Sequence, residues 1–141
     1  MPFDLAAVNW LAVPVAALAA FMVGGIVYGA VFGTAWVRLH GYEGKTELLD
    51  AMKKHQGRTF AIMFAAYLIM AVVLAAVLHA DPASTWVTGV VAGAILWLGV
   101  GLPETTIQNA AHHKPIAAGA IDLAHQLAYL CVAGAILGAW H

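Results

Sequence analysis

From about Asn9 to Trp36 the chain carries no charged side chain. Roughly 20 helical residues suffice to cross the hydrocarbon of a bilayer, so this run is long enough to cross with tilt. Inside lipid the backbone must satisfy its own hydrogen bonds, and for a lone apolar run that means a helix. Three further apolar runs follow at about 59–78, 86–108 and 116–140. The pattern predicts an all-α integral membrane protein, a single domain over residues 1–141 folded as a four-helix transmembrane bundle. Composition agrees with lipid as the solvent: 63% of the residues are hydrophobic and only 9% charged, against roughly 25% charged in a soluble domain. Too few polar groups exist to cover such a chain in water.

A cleaved signal peptide would begin with a basic segment followed by a short apolar core. Here the first positive charge is Arg38, so the first run is expected to remain as a span. Arg38, Lys45, Lys53, Lys54 and Arg58 lie in the segment 37–58, and Lys114 lies in the third connection. The positive-inside rule then predicts these two connections in the cytoplasm and both termini on the exterior side of the membrane. Within 37–58, Thr46 is expected to cap a short amphipathic helix through Lys54, with Glu47 and Asp50 early and Lys53 and Lys54 late, as the helix dipole prefers. Leu48, Leu49 and Met52 share one side of it, so the helix is expected to rest on the membrane surface. His40 and His55 read as solvated loop histidines, and Ser84 as the cap of the third span after the turn at Pro82.

Several glycines recur every four residues, a spacing that lets helices approach closely: Gly25, Gly29 and Gly33 in the first span, Gly89 and Gly93 in the third, Gly134 and Gly138 in the fourth. Pro103 removes a backbone hydrogen bond and predicts a kink near Gly99. Trp10, Trp36 and Trp140 sit near span ends, where amphipathic rings prefer the headgroup level. Cys131 is the only cysteine, which excludes an intrachain disulfide.

Polar residues within the spans are few and costly, about 2.5–3.5 kcal/mol for a charge at mid-membrane on insertion scales. Two carboxylates, Glu104 and Asp122, flank the polar link 108–114. Three, four and seven residues after Asp122 come His125, Gln126 and Tyr129, one face of a helix. Counting the helical rise from the link places Glu104 roughly 8 Å deep, Asp122 roughly 9 Å and His125 roughly 14 Å; Tyr28, counted from Trp36, falls at roughly 12 Å. Four polar groups from three spans are therefore expected to share the inner half of the bilayer.

The segments Asn9-Trp10-Leu11-Ala12-Val13, Tyr28, Phe32-Gly33 and Trp36 in the first span resemble a bacterial family of small four-span membrane proteins, the domain of unknown function numbered seventeen sixty-one. Leu96-Trp97-Leu98-Gly99, Leu102-Pro103, His125 and the closing run Gly134 to Trp140 are similar to it as well. The resemblance covers nearly the whole chain and implies a four-span fold and a membrane location, with no established activity. The chain departs from the family at Val27 and at Gly29-Ala30, where members often carry tryptophan before the tyrosine and Ser-Pro after it.

Two function classes follow. The first is a non-enzymatic structural, accessory or assembly partner, in which His125, Gln126 and Tyr129 are interhelical hydrogen-bond glue. It suits the small size, the glycine faces and the absence of a phosphate loop, nucleophile elbow or paired-cysteine motif. The second is a minimal proton- or cation-coupled transporter or channel, in which Asp122 accepts the ion, His125 titrates beside it and Glu104 stands at the entrance. No catalytic residue and no cofactor is assigned. A divalent metal on Asp122, His125 and Glu104 with His112 or His113 is the third occupant considered, since carboxylate and imidazole together suit several such ions. Expected partners are the lipid bilayer and either further copies of the chain or a larger membrane complex; nucleic acid is not expected.

Overall fold

The computed structural model describes residues 5–140. Helix α1 (Ala12–Gly25) runs into a π-helical turn, Ile26–Val31, and the chain breaks at Phe32 before a short helix α2, Gly33–Leu39. Helix α3 (Thr46–Lys54) leads almost directly into α4, Gln56–Leu78. A tight turn leads to α5 (Trp86–Leu96), which passes through a second π-helical turn, Trp97–Gly101, into α6, Leu102–Ala111. The last helix, α7, covers Ile116–Ala139. No strand occurs among the described residues. Among the described residues four stretches are long and apolar enough to cross a membrane: Ala12–Val31, Gln56–Leu78, Trp86–Ala111 and Ile116–Ala139. The fold is an all-α bundle, and the chain is a multi-pass membrane protein.

The spans differ from the sequence expectation mostly at their ends. The first is shorter than 9–36, because the break at Phe32 separates α2 from it. The helix is thus irregular over Ile26–Val31, without a proline to cause it. The i→i+5 bonding of a π turn opens the helix by one residue and marks such an irregularity. The second span begins at Gln56 rather than Thr59. Near Pro103 the expected irregularity is the π turn that ends at Gly101, with Pro103 then placed in the first turn of α6, where its missing N–H costs least.

Two caps fall elsewhere than expected. Thr46 is the first residue of α3, its hydroxyl makes no capping bond, and Lys45 stands at the cap position. Helix α5 is capped by Thr85, whose side chain accepts from the Thr88 amide while the Thr88 hydroxyl accepts from the Thr85 amide. Ser84 instead turns back and donates to the carbonyl of Leu78. One residue of register separates the expectation from the finding in each case.

Helix α7 is the centre of the bundle, packing most extensively on α5, then on α1 and more lightly on α4. The α5-α7 seam is built from glycine. A methyl group added at Gly89 would overlap the Gly134 carbonyl, one at Gly93 the Leu130 carbonyl, and one at Gly138 the Thr85 carbonyl. Backbone therefore lies on backbone along this seam. The first-span repeat behaves differently: Gly25 and Gly29 have nothing within 4 Å, and Gly33 abuts only the preceding carbonyl of Tyr28. That face is not a packing face within this chain. The close approach in α1 is at Gly24, whose added carbon would lie 3.1 Å from the imidazole of His125.

The α1-α4-α7 core is lined by small side chains, Ala12, Ala16, Ala20, Ala71, Ala75 and Ala133 among them, with Leu74 and Leu137 as its largest fully buried groups. Large apolar side chains such as Leu18, Met22, Ile62, Ile69, Val91 and Ile95 point outward. This inversion suits lipid, where burying leucine between helices brings no hydrophobic gain and close backbone packing decides. At the end of the bundle that holds the α4-α5 turn, the Asn9 amide donates to Nδ1 of His79 at 3.1 Å. With Nδ1 accepting, Nε2 carries the proton and donates to the Leu137 carbonyl at 3.0 Å, so one neutral imidazole ties three segments together.

Candidate functional site

The opposite end of the bundle holds both connections that carry lysine and arginine, and there the polar residues of three spans converge. Asp122, two turns into α7, accepts from the Tyr28 hydroxyl at 2.8 Å and from the Trp36 indole N–H at 3.2 Å, both on Oδ1. Its Oδ2 faces Nε2 of His40 at 3.6 Å, an ion pair whenever that ring is protonated. The His40 side chain is only 2% exposed, stacked on Trp36 with ring centroids 4.2 Å apart. Its Nδ1 lies 2.9 Å from the Trp36 carbonyl and must donate there. A neutral His40 thus offers Asp122 a lone pair, and only the doubly protonated ring offers an N–H.

His40 is therefore not a solvated loop histidine. Trp36 is more than a headgroup anchor, because its N–H is spent on Asp122. Both contacts depend on the break at Phe32, which lays α2 against α7. Tyr28 reaches Asp122 from within the π turn Ile26–Val31, whose wider winding sets the direction of its side chain.

One turn beyond Asp122, His125 is buried. Its Nε2 lies 3.4 Å from the Tyr67 hydroxyl, and its ring meets Tyr28 edge to face at 4.7 Å and Tyr129 at 5.0 Å. Tyr129 in turn packs on Tyr67 at 5.1 Å. Gln126 donates through Nε2 to the Thr105 hydroxyl at 2.7 Å, while its Oε1 is buried with no hydrogen-bond partner. A second indole, Trp97, donates to the Leu123 carbonyl at 2.9 Å from the second π turn. Thr105 was not singled out by sequence, and Trp97 only as part of a family-like segment, since a threonine or tryptophan inside an apolar run reads as ordinary span composition.

Beside these groups lies an open cavity of about 380 Å³. Tyr28, Glu104, Asp122, His125, Gln126 and Tyr129 all line it, and Lys114 of the α6-α7 link stands on its wall. The two carboxylates thus share one cavity but not one role, because Asp122 accepts two hydrogen bonds and faces His40 while Glu104 is exposed in the first turn of α6. His112 and His113 stay outside, both exposed at the end of α6. Among the described residues no group of three or more His, Cys, Asp and Glu could hold a metal ion, so the set Asp122, His125, Glu104, His112 and His113 does not assemble as a coordination site. Chemically the cavity offers negative charge, hydroxyls and aromatic faces.

The chain belongs to the family described as "Protein of unknown function (DUF1761)", whose match covers residues 11–138. No curated protein and no solved structure matches it.

Proposed function

We propose that this DUF1761 member is a non-enzymatic protein of the bacterial inner membrane that binds a monovalent cation or proton in its inner-half cavity and acts as a minimal transporter or channel. The observation that carries this reading is the cavity itself: two carboxylates from different spans face one open space of about 380 Å³. Hydrogen-bond glue alone calls for no such space. Charge placed within spans generally marks an ion or solute path. The lysine and arginine side chains of the connections 37–58 and 112–114 support, by the positive-inside rule, a cavity mouth toward the cytoplasm with both termini outside.

The test is transport by the purified protein in proteoliposomes under an imposed proton or potassium gradient. Internal pH or potassium should respond, and Asp122→Asn and Glu104→Gln should each reduce the response severalfold. An inert wild-type protein sinks the reading.

A second reading, an accessory or assembly subunit, draws on the third span. Only 11% of its most apolar window is buried, against 33% in each of the first two. Trp86, Val91, Ile95, Leu98 and Ile107 all face outward, leaving surface for another copy or another membrane subunit. Co-purification with a stable partner in mild detergent, unchanged in Asp122→Asn, would favour it.

A further inference from the structure

Resting on the cation-binding reading above, we propose that the cavity takes an organic monocation, an alkylammonium group, in preference to a metal or alkali ion. The first step concerns what each carboxylate still has to give. Asp122 Oδ1 already accepts from Tyr28 and Trp36, and Oδ2 faces His40. A metal ion is held through lone pairs at about 2.0–2.6 Å, and several ligands must converge on it. On Asp122 only Oδ2, turned toward His40, remains free of a donor, and among the described residues no group of three or more His, Cys, Asp and Glu converges to hold a metal ion. Its negative charge, however, still acts across the cavity. Two carboxylates, Glu104 and Asp122, against the one ammonium of Lys114 leave the lining with one net negative charge while His125 is neutral.

The second step is the rings. Tyr28, His125, Tyr129 and Tyr67 form an unbroken edge-to-face series, with centroid separations of 4.7, 5.0 and 5.1 Å, and all four line the same cavity. A cation within about 6 Å of a ring centroid is drawn to the ring face by its quadrupole, and cages of this kind suit quaternary ammonium groups. The charge of an alkylammonium is spread over its carbons, so it needs no lone pair and gains from apolar contact. An alkali ion would surrender more hydration for the same rings. At about 380 Å³ the cavity falls within the roughly 300–1,000 Å³ of small-molecule sites, more room than a bare ion fills. Lys114 belongs to the link, whereas His125 and Tyr129 lie one and two turns beyond Asp122 along α7. The cationic group is thus placed at the ring end, away from the lysine.

Isothermal titration of the full chain in nanodiscs at fixed pH tests this, using tetramethylammonium, choline, potassium and 3,3-dimethylbutanol, the uncharged isostere of choline. Tetramethylammonium and choline should bind about tenfold tighter than potassium and than the neutral alcohol. Tyr129→Leu should weaken tetramethylammonium by about twofold to thirtyfold, and Tyr129→Phe, which keeps the ring, should bind as the wild type does. Glu104→Gln, on an exposed position, should weaken every cation alike. Potassium binding as tightly as tetramethylammonium overturns the organic-cation inference and leaves the cation-binding reading standing. The neutral alcohol binding as tightly as choline, or no cation binding at all, overturns the organic-cation inference, and the proton arm of the cation-binding reading is then decided by the proteoliposome assay. Should Tyr129→Leu fail to fold, the ranking of the four ligands on the wild-type protein decides alone.

Discussion

Removing the Tyr28 hydroxyl isolates one bond of the Asp122 cluster. Tyr28→Phe keeps the ring that packs on Trp36 and His125 and deletes only the donor to Oδ1. Hydrogen bonds between helices in membrane proteins average about 0.6 kcal/mol and reach about 1.7. Bonds to charged groups run higher, at about 1.5–3 kcal/mol in folded proteins generally. A 2.8 Å bond onto a carboxylate whose side chain is 21% exposed belongs near the top of the membrane range. The expected loss is about 1.5 kcal/mol, tenfold in the unfolding equilibrium. In an Asp122→Ala background the hydroxyl has no acceptor, so the same Tyr28→Phe change should cost close to nothing. Equilibrium unfolding of the four proteins in mixed detergent micelles gives the coupling directly. Equal costs of Tyr28→Phe in both backgrounds would refute the claim that this bond fastens the π turn of the first span to α7. The 3.2 Å bond from Trp36 is longer, and Trp36→Phe should show a smaller coupling to Asp122 of about 0.5–1 kcal/mol.

Gly89→Ala should destabilise by about 1–3 kcal/mol, since its new methyl meets the Gly134 backbone rather than a movable side chain; thermal unfolding in detergent reads this. Gly25→Ala, where nothing lies within 4 Å, should instead be neutral or gain up to about 1 kcal/mol from better helix propensity. His79→Ala should cost about 1–3 kcal/mol by stranding the Leu137 carbonyl and the Asn9 amide, with cation binding at the far end of the bundle unchanged by titration. Gln126→Met removes a buried oxygen that has no partner, so its net effect in the same unfolding assay should stay below about 1 kcal/mol despite the lost bond to Thr105.

The spans were legible because lipid imposes a crude rule, length without charge, that Ala12–Val31 and Gln56–Leu78 both obey. Helical rise gave Tyr28, Glu104, Asp122 and His125 a similar depth, because depth is nearly a one-dimensional coordinate in a membrane; that they line one cavity is read from the fold. Azimuth is not read so easily. A four-residue glycine repeat says that some face is smooth, yet the packed glycine in the first span is Gly24 and not Gly25 or Gly29. The π turn after Gly25 shifts the phase of every residue beyond it, and no proline announces that turn. His40 was misread for a related reason. A histidine past the last apolar residue reads as solvated, and only the fold of α2 back onto α7 hides it beneath Trp36 and against Asp122.

Each of the two π-helical turns holds one surplus residue, and in the first that surplus works like a keyed offset in a shaft. Deleting a single residue from Ile26–Val31 would let the segment close into ordinary helix, turning everything downstream by about 100°. The indole of Trp36 and the imidazole of His40 would then swing off the Asp122 carboxylate they now grip. Shortening the chain by one position would so unfasten the acid without altering any residue that touches it.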